Sequence, residues 1–128
     1  MDREDCKMSK TWLITGVSSG FGKEMTQQLL GAGNTVVGTV RNTKKVEDLI
    51  RKFPDTFDCR ILDVTDVPAL HKTVRDAFEK HGKIDVVVSN AGYGLFGCAE
   101  ELSDAEIDKI IATDLTGSIQ LIRLHSRL

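Results

Sequence analysis

The chain has 128 residues, enough for one domain or for a piece of a larger one. Its 41% hydrophobic and 28% charged residues are the composition of an ordinary globular protein. A formal charge of −2 leaves no excess of base for a nucleic-acid backbone or an anionic membrane, so neither is an expected partner.

No apolar run approaches the length of a membrane span, and the opening MDREDCKMSK is too charged for a signal peptide. The expected setting is cytoplasmic. Cys6, Cys59 and Cys98 are odd in number and form no CxxC pair, and His71, His81 and His125 have no ligand spacing. Neither a disulfide framework nor a metal site is expected.

Residues 1–10 read as a solvated leader. A first strand is expected over residues 11–15, and a helix after the glycines with Phe21, Met25 and Leu29 four apart on one face. That helix should stop at Gly31 to Gly33. Residues 36–40 (VVGTV) are continuously apolar, as suits a parallel strand buried on both faces. Asn42 or Thr43 should cap a helix whose Val46, Leu49, Ile50 and Phe53 form one face, ended by Pro54. Residues 58–62 (DCRIL) are a weaker third strand. Asp66 and Pro68 open a helix carrying Leu70, Val74, Ala77 and Phe78 on one side, closed by Gly82. Residues 84–89 (IDVVVS) are the clearest strand, followed by a loop of small residues to Leu102. Ser103 and Glu106 make a capping box, and Ile107, Ile110, Ile111, Leu115, Ile119 and Ile122 continue a helical pattern toward the C-terminus. The alternation βαβαβαβα, with connections long enough for right-handed crossovers, predicts an α/β fold, a doubly wound parallel sheet of the Rossmann type.

The stretch TGVSSGFG places Gly16, Gly20 and Gly22 between a strand and a helix. Such a turn brings backbone N–H groups close to a ligand and aims the positive end of a helix dipole at it, which suits a pyrophosphate. Ser18 and Ser19 add hydroxyl donors. The alternative is a plain turn that binds nothing. The end of the second strand carries Val40 and then Arg41, with no Asp or Glu until Glu47. An NAD site places a carboxylate about 20 residues past its glycines; a guanidinium in its stead grips a 2′-phosphate, so NADP is expected over NAD. Asn42 and Lys44 or Lys45 are possible helpers.

TGVSSGFG, then LDV at Leu62 to Val64, then SNAG at Ser89 to Gly92, each at the end of an expected strand, resemble the short-chain dehydrogenase/reductase family from Lys10 to Arg123. The resemblance implies that the loop from Gly16 through Phe21 to Gly22 wraps the cofactor pyrophosphate. Asp63 would accept from the adenine amino group, with the Val64 backbone against the ring. Asn90 would brace the central strands, and Ala91 and Gly92 would let the adenosine ribose approach. On residues alone, Asp63 could equally be a turn carboxylate ahead of Thr65. The sequence DLTG puts Asp114 where the family has Asn-Val-x-Gly, an asparagine whose backbone carbonyl holds a water of the proton relay. Asp114 is thus a catalytic candidate carrying a charge the family lacks there, with a structural role as its rival.

The family implies reversible hydride transfer between nicotinamide and the carbon of an alcohol or carbonyl substrate, using a serine, a tyrosine and a lysine four residues after the tyrosine. Tyr93 is the one tyrosine, Gly97 stands four residues on, and no Tyr-x-x-x-Lys occurs. The expectation is therefore a truncated, catalytically incomplete member, residues 11–128 being its NAD(P)-binding part. A non-enzymatic dinucleotide-binding module, a decayed gene fragment and a structural domain are the rivals. The strand at 84–89 is expected to lie at an exposed sheet edge.

Overall fold

The computed structural model describes residues 9–92 and 99–127. Most of the expected leader and the apolar loop at 93–98, with Tyr93, lie outside the described residues.

Four parallel strands form one sheet: β1 (Thr11–Thr15), β2 (Thr35–Val40), β3 (Phe57–Ile61) and β4 (Val86–Val88), in the order β3-β2-β1-β4. β1 pairs β2 from Thr11↔Thr35 to Thr15↔Thr39, β2 pairs β3 from Val36↔Phe57, and β4 pairs β1 only at Trp12–Ile14. Between the strands run α1 (Gly20–Gly31), α2 (Glu47–Lys52, entered through a 3-10 turn at Lys44–Val46) and α3 (Val67–His81). After β4 come α4 (Asp104–Ile110), a π-helical turn at Ile111–Thr116 and α5 (Gly117–Arg127).

Both faces of the sheet are covered, and strand alternation shows how. Ile14, Val36 and Val40 pack with Val17, Leu30, Val46 and Leu49 beneath α1 and α2. Leu13 and Val37 point the other way, into Leu70, Val74, Ala77 and Leu121 of α3 and α5. Each fully buried Leu, Ile or Val adds about 1.5–3 kcal/mol of hydrophobic stabilisation. That two-sided burial is why β2 reads as a continuous apolar run.

The helix ends follow local chemistry. Asp66 caps α3 by accepting from the Ala69 N–H at 3.1 Å, with Pro68 in the first turn and Gly82 at the far end. Ser103 and Glu106 form the expected reciprocal box at α4. Asn42, rather than Thr43, shapes the entry to α2 by accepting from the Lys44 N–H at 2.9 Å.

Three expectations need correction. The buried face of α1 is Gly22, Thr26 and Leu30, while Phe21 is 88% exposed and Met25 also faces solvent. The face is rotated by one residue because Gly22 must pass close to the Gly16 backbone, and Thr26 can be buried since its hydroxyl donates to the Gly22 carbonyl at 2.7 Å. The strand expected at 84–89 is strand only over Val86–Val88, where it pairs with Trp12, Leu13 and Ile14 of β1. In α5 the buried residues are Gly117 and Leu121, whereas Ile111, Leu115, Ile119 and Ile122 are exposed. The π-helical turn adds a residue to the repeat and turns the apolar stripe away from the sheet. β4 lies at the sheet edge, as expected.

Candidate functional site

The chain leaves β1 toward β2 and β3, then crosses back to lay β4 on the other side of β1. At such a reversal the loops after neighbouring strands diverge and open a crevice at the carboxyl ends of the sheet. A cavity of about 320 Å³ occupies that place.

One wall is the turn after β1, with Gly16, Ser18, Ser19, Gly20 and Phe21. Gly16 takes φ +74° and Gly20 φ +58°, in the left-handed region that disfavours a side chain. Gly16 is also pressed against the end of β4: a Cβ on it would lie 2.8 Å from the Ala91 Cα. Ser19 occupies the N-cap of α1, but its hydroxyl makes no capping bond, and no acidic residue stands in the first turn. Two other helix starts differ: the Asp66 carboxylate is engaged at α3, and the Ser103 hydroxyl and Glu106 carboxylate are engaged at α4. The amides that open α1 thus keep the donors and positive dipole end that suit an anion.

A hydrogen-bond frame fixes this turn. The Asn90 side chain donates from Nδ2 to the Gly16 carbonyl at 2.9 Å. The amides of Asn90 and Ala91 both donate to the Thr15 hydroxyl, at 3.0 and 3.1 Å. On the other side, the amides of Gly16 and Val17 donate to the Thr39 carbonyl. β4, β1 and β2 are therefore locked together directly beneath the cavity.

The far wall comes from the ends of β2 and β3. Thr39, Val40 and Arg41 line it, followed by Leu62, Asp63 and Val64. Asp63 accepts through Oδ1 from the Thr65 hydroxyl at 2.7 Å and the Thr65 amide at 3.0 Å. Those two bonds hold its carboxyl below the ordinary carboxylate range, with the charges of Arg41 and Lys109 adding to the effect. The turn role and the cavity role of Asp63 thus coexist. Asn90, Ala91 and Gly92 complete the wall from β4, and Lys109 and Thr113 close it from α4 and the π-helical turn.

Gly22 and Asp114 do not line the cavity. Gly22 is buried beneath the turn, where any Cβ would collide with the Gly16 carbonyl. Asp114 is exposed on the π-helical turn, with its Oδ1 2.9 Å from where a Cβ on Gly92 would sit. Its backbone carbonyl accepts from the Ser118 hydroxyl at 3.1 Å, and Ser118 accepts from the Ser89 hydroxyl at 2.8 Å. Thr15, Thr39, Lys109 and Thr113 belong to the site without an expected role, although Thr15 opens TGVSSGFG. Threonines closing the buried strands β1 and β2 were a usable signal for the first two, whereas nothing local marks the last two.

A doubly wound sheet with a glycine turn, an uncapped helix start and a crevice at its switch point defines the class of dinucleotide-binding α/β domains. The family model described as short chain dehydrogenase matches residues 10–128, and the chain belongs to that family. It is 32% identical over 111 residues to an NADPH-dependent 3-dehydrocapnine reductase of Ornithobacterium rhinotracheale, a match covering 85% of this chain and 39% of that one. Among solved structures, a short-chain dehydrogenase from Streptomyces avermitilis superposes with a TM-score of 0.88 at 36% identity, covering 91% of this chain and 43% of the other. A 3-ketoacyl-(acyl-carrier-protein) reductase from Brucella melitensis, complexed with NADH, superposes with a TM-score of 0.83 at 30% identity, covering 91% and 49%. The chain spans less than half the length of each of these three.

Proposed function

We propose that the chain is the cofactor-binding part of an NADP-dependent short-chain oxidoreductase acting on a small alcohol or carbonyl compound in a cytoplasmic setting. The observation that carries this reading is one cavity lined by the glycine turn, by Arg41 at the end of β2 and by Asp63 at the end of β3. In it, the turn from Gly16 to Phe21 and the start of α1 hold the pyrophosphate, with Gly22 keeping the turn closed from below. Asp63 and Val64 meet the adenine, and Ala91 and Gly92 flank the ribose. Arg41 takes the 2′-phosphate that an acidic residue at that place would repel. The relatives are divided on the cofactor, since one is NADPH-dependent and another holds NADH; the support for NADP is Arg41.

The bound nicotinamide supplies the hydride chemistry, while this chain binds and orients it. Proton transfer is the part these residues do not supply: the one tyrosine, Tyr93, has Gly97 four residues on. The 128 residues alone are accordingly proposed to bind NADPH without turning it over, Asp114 contributing position rather than a proton.

Calorimetric titration with NADPH and NADH, on the wild type and on Arg41→Ala, tests the reading. The wild type should prefer NADPH, and the variant should lose NADPH affinity by about ten-fold or more, the worth of a charge-assisted bond, with NADH little changed. An unchanged NADPH affinity in Arg41→Ala sinks the claim. Turnover of NADPH by the 128-residue chain with carbonyl compounds would sink the claim of incompleteness.

A further inference from the structure

The cavity contains an ionisable group that no motif names. Lys109 lies on α4, one helical turn before Thr113, and both line the cavity wall. The ionisable side chains of that wall, among the described residues, are Arg41, Asp63 and Lys109. Arg41 lines the cavity from the end of β2, Asp63 from the end of β3 and Lys109 from α4, so two cations from separate elements share one crevice. The charges of both help to hold the Asp63 carboxyl below its ordinary range.

Charge accounting gives this arrangement a purpose. A phosphate monoester carries about −1.5 to −2 at neutral pH, more than one guanidinium neutralises. Asp63, whose Oδ1 is already engaged by Thr65, leaves the wall with a net charge of one positive side chain. A chain with an overall formal charge of −2 thus turns a positive patch toward this one crevice. In this reading the pyrophosphate is met by the amides of the glycine turn and the start of α1, which leaves the side-chain cations to a further phosphate.

We propose that Lys109 is a second specificity-determining cation, which favours adenine nucleotides bearing a 2′-phosphate over those without one. The inference rests on the NADP reading above and adds to it a residue outside every recognition motif. Its action is electrostatic and through space, from an exposed residue of the cavity lining.

The test uses two probes that differ only in the phosphate concerned, adenosine 2′,5′-bisphosphate and adenosine 5′-monophosphate, titrated calorimetrically against the whole chain. The wild type should bind the bisphosphate more tightly. Lys109→Gln should weaken the bisphosphate about five-fold at low ionic strength, with the monophosphate changed less than about two-fold. Lys109→Arg should keep the preference, and the loss in Lys109→Gln should shrink as salt is added. Lys109 is exposed, so unchanged thermal melting of the variant separates lost binding from lost folding. A wild type with its preference intact in Lys109→Gln overturns this proposal alone. An equal loss for both probes overturns it too, and makes Lys109 a support for the adenine. A wild type indifferent to the two probes overturns the NADP reading itself.

Discussion

The side-chain amide of Asn90, at the end of β4, donates to the carbonyl of Gly16, at the end of β1, across 74 residues of sequence and 2.9 Å of space. This bond orients the first peptide of the glycine turn from below. It also explains why an amide suits the position: Nδ2 must donate toward a carbonyl, which a carboxylate cannot do. Asn90→Ala should therefore cost about 1–2 kcal/mol of stability, the worth of a part-buried hydrogen bond and its orphaned partner. Asn90→Asp should cost more, since it sets an anion against the Gly16 oxygen. Urea denaturation ranks the three proteins, and an Asp variant as stable as wild type would contradict the role.

The glycines of α1 separate by what surrounds them. A Cβ on Gly22 would collide with the Gly16 carbonyl and with Asn90 Nδ2, whereas one on Gly31 meets nothing within 4 Å and lies in ordinary helix. Gly22→Ala should destabilise by about 2–4 kcal/mol and disturb the Asn90 frame, as overpacking does where backbone cannot yield. Gly31→Ala should be neutral or stabilise by about 0.5–1 kcal/mol through helix propensity and the unfolded chain. Thermal melts of the two variants should move in opposite directions, or at least differ by several degrees.

How much of this was legible in the sequence depends on whether backbone or packing decides the feature. The ends of β1 at Thr15 and of β2 at Val40, the glycine turn and the capping box at Ser103 and Glu106 are set by local backbone chemistry, and they appear where the residues put them. The facing of α1 was not legible from hydrophobicity. Phe21, Met25 and Leu29 are the more apolar set, yet contact distance at Gly22 and the self-satisfied hydroxyl of Thr26 decide the matter. The site divides the same way. Gly16, Arg41, Asp63 and Asn90 lie at strand ends, where the parallel sheet must gather them. Lys109 and Thr113 reach the cavity only through the placement of α4 after the β4 loop, which no local pattern encodes.

That corrected facing makes a prediction of its own. Leu30 is 3% exposed and packs with Ile14, Val17 and Val36, whereas Met25 is 37% exposed. Leu30→Ala should cost about 2–4 kcal/mol through lost burial and the cavity left behind. Met25→Ala and Phe21→Ala should each stay within about 0.5 kcal/mol of wild type, as surface changes do. Phe21 lines the cavity mouth, so Phe21→Ala should still weaken NADPH binding measurably. Equal losses for Leu30→Ala and Met25→Ala would put the helix back on the face that hydrophobicity suggests.

Asp58 sets the response to acid. Its side chain, 12% exposed on β3, takes two bonds from Arg60 at 3.0 and 2.9 Å and a contact with His81 Nε2 at 2.9 Å, with Lys80 at 3.6 Å. Burial acts to raise its carboxyl, but the bonds from Arg60 and His81 and the charges of Arg60 and Lys80 outweigh it, so the group lies below its ordinary value of 3.8. A folded-state value below the unfolded one means that the ionised form is stabilised by folding. That contribution is present in full above the unfolded value and is lost as pH falls through the folded one. Asp58→Asn removes the anion while Arg60 and Lys80 remain facing one another across the end of α3. At pH of about 7 it should cost about 1–3 kcal/mol, and in acid, below the folded-state value, the wild type should fall toward the variant. Urea midpoints of both proteins, followed from neutral pH down to about pH 3, measure the difference directly. Its narrowing on acidification is the expected result, and a gap that holds constant with pH would show that the pairing is not what Asp58 contributes.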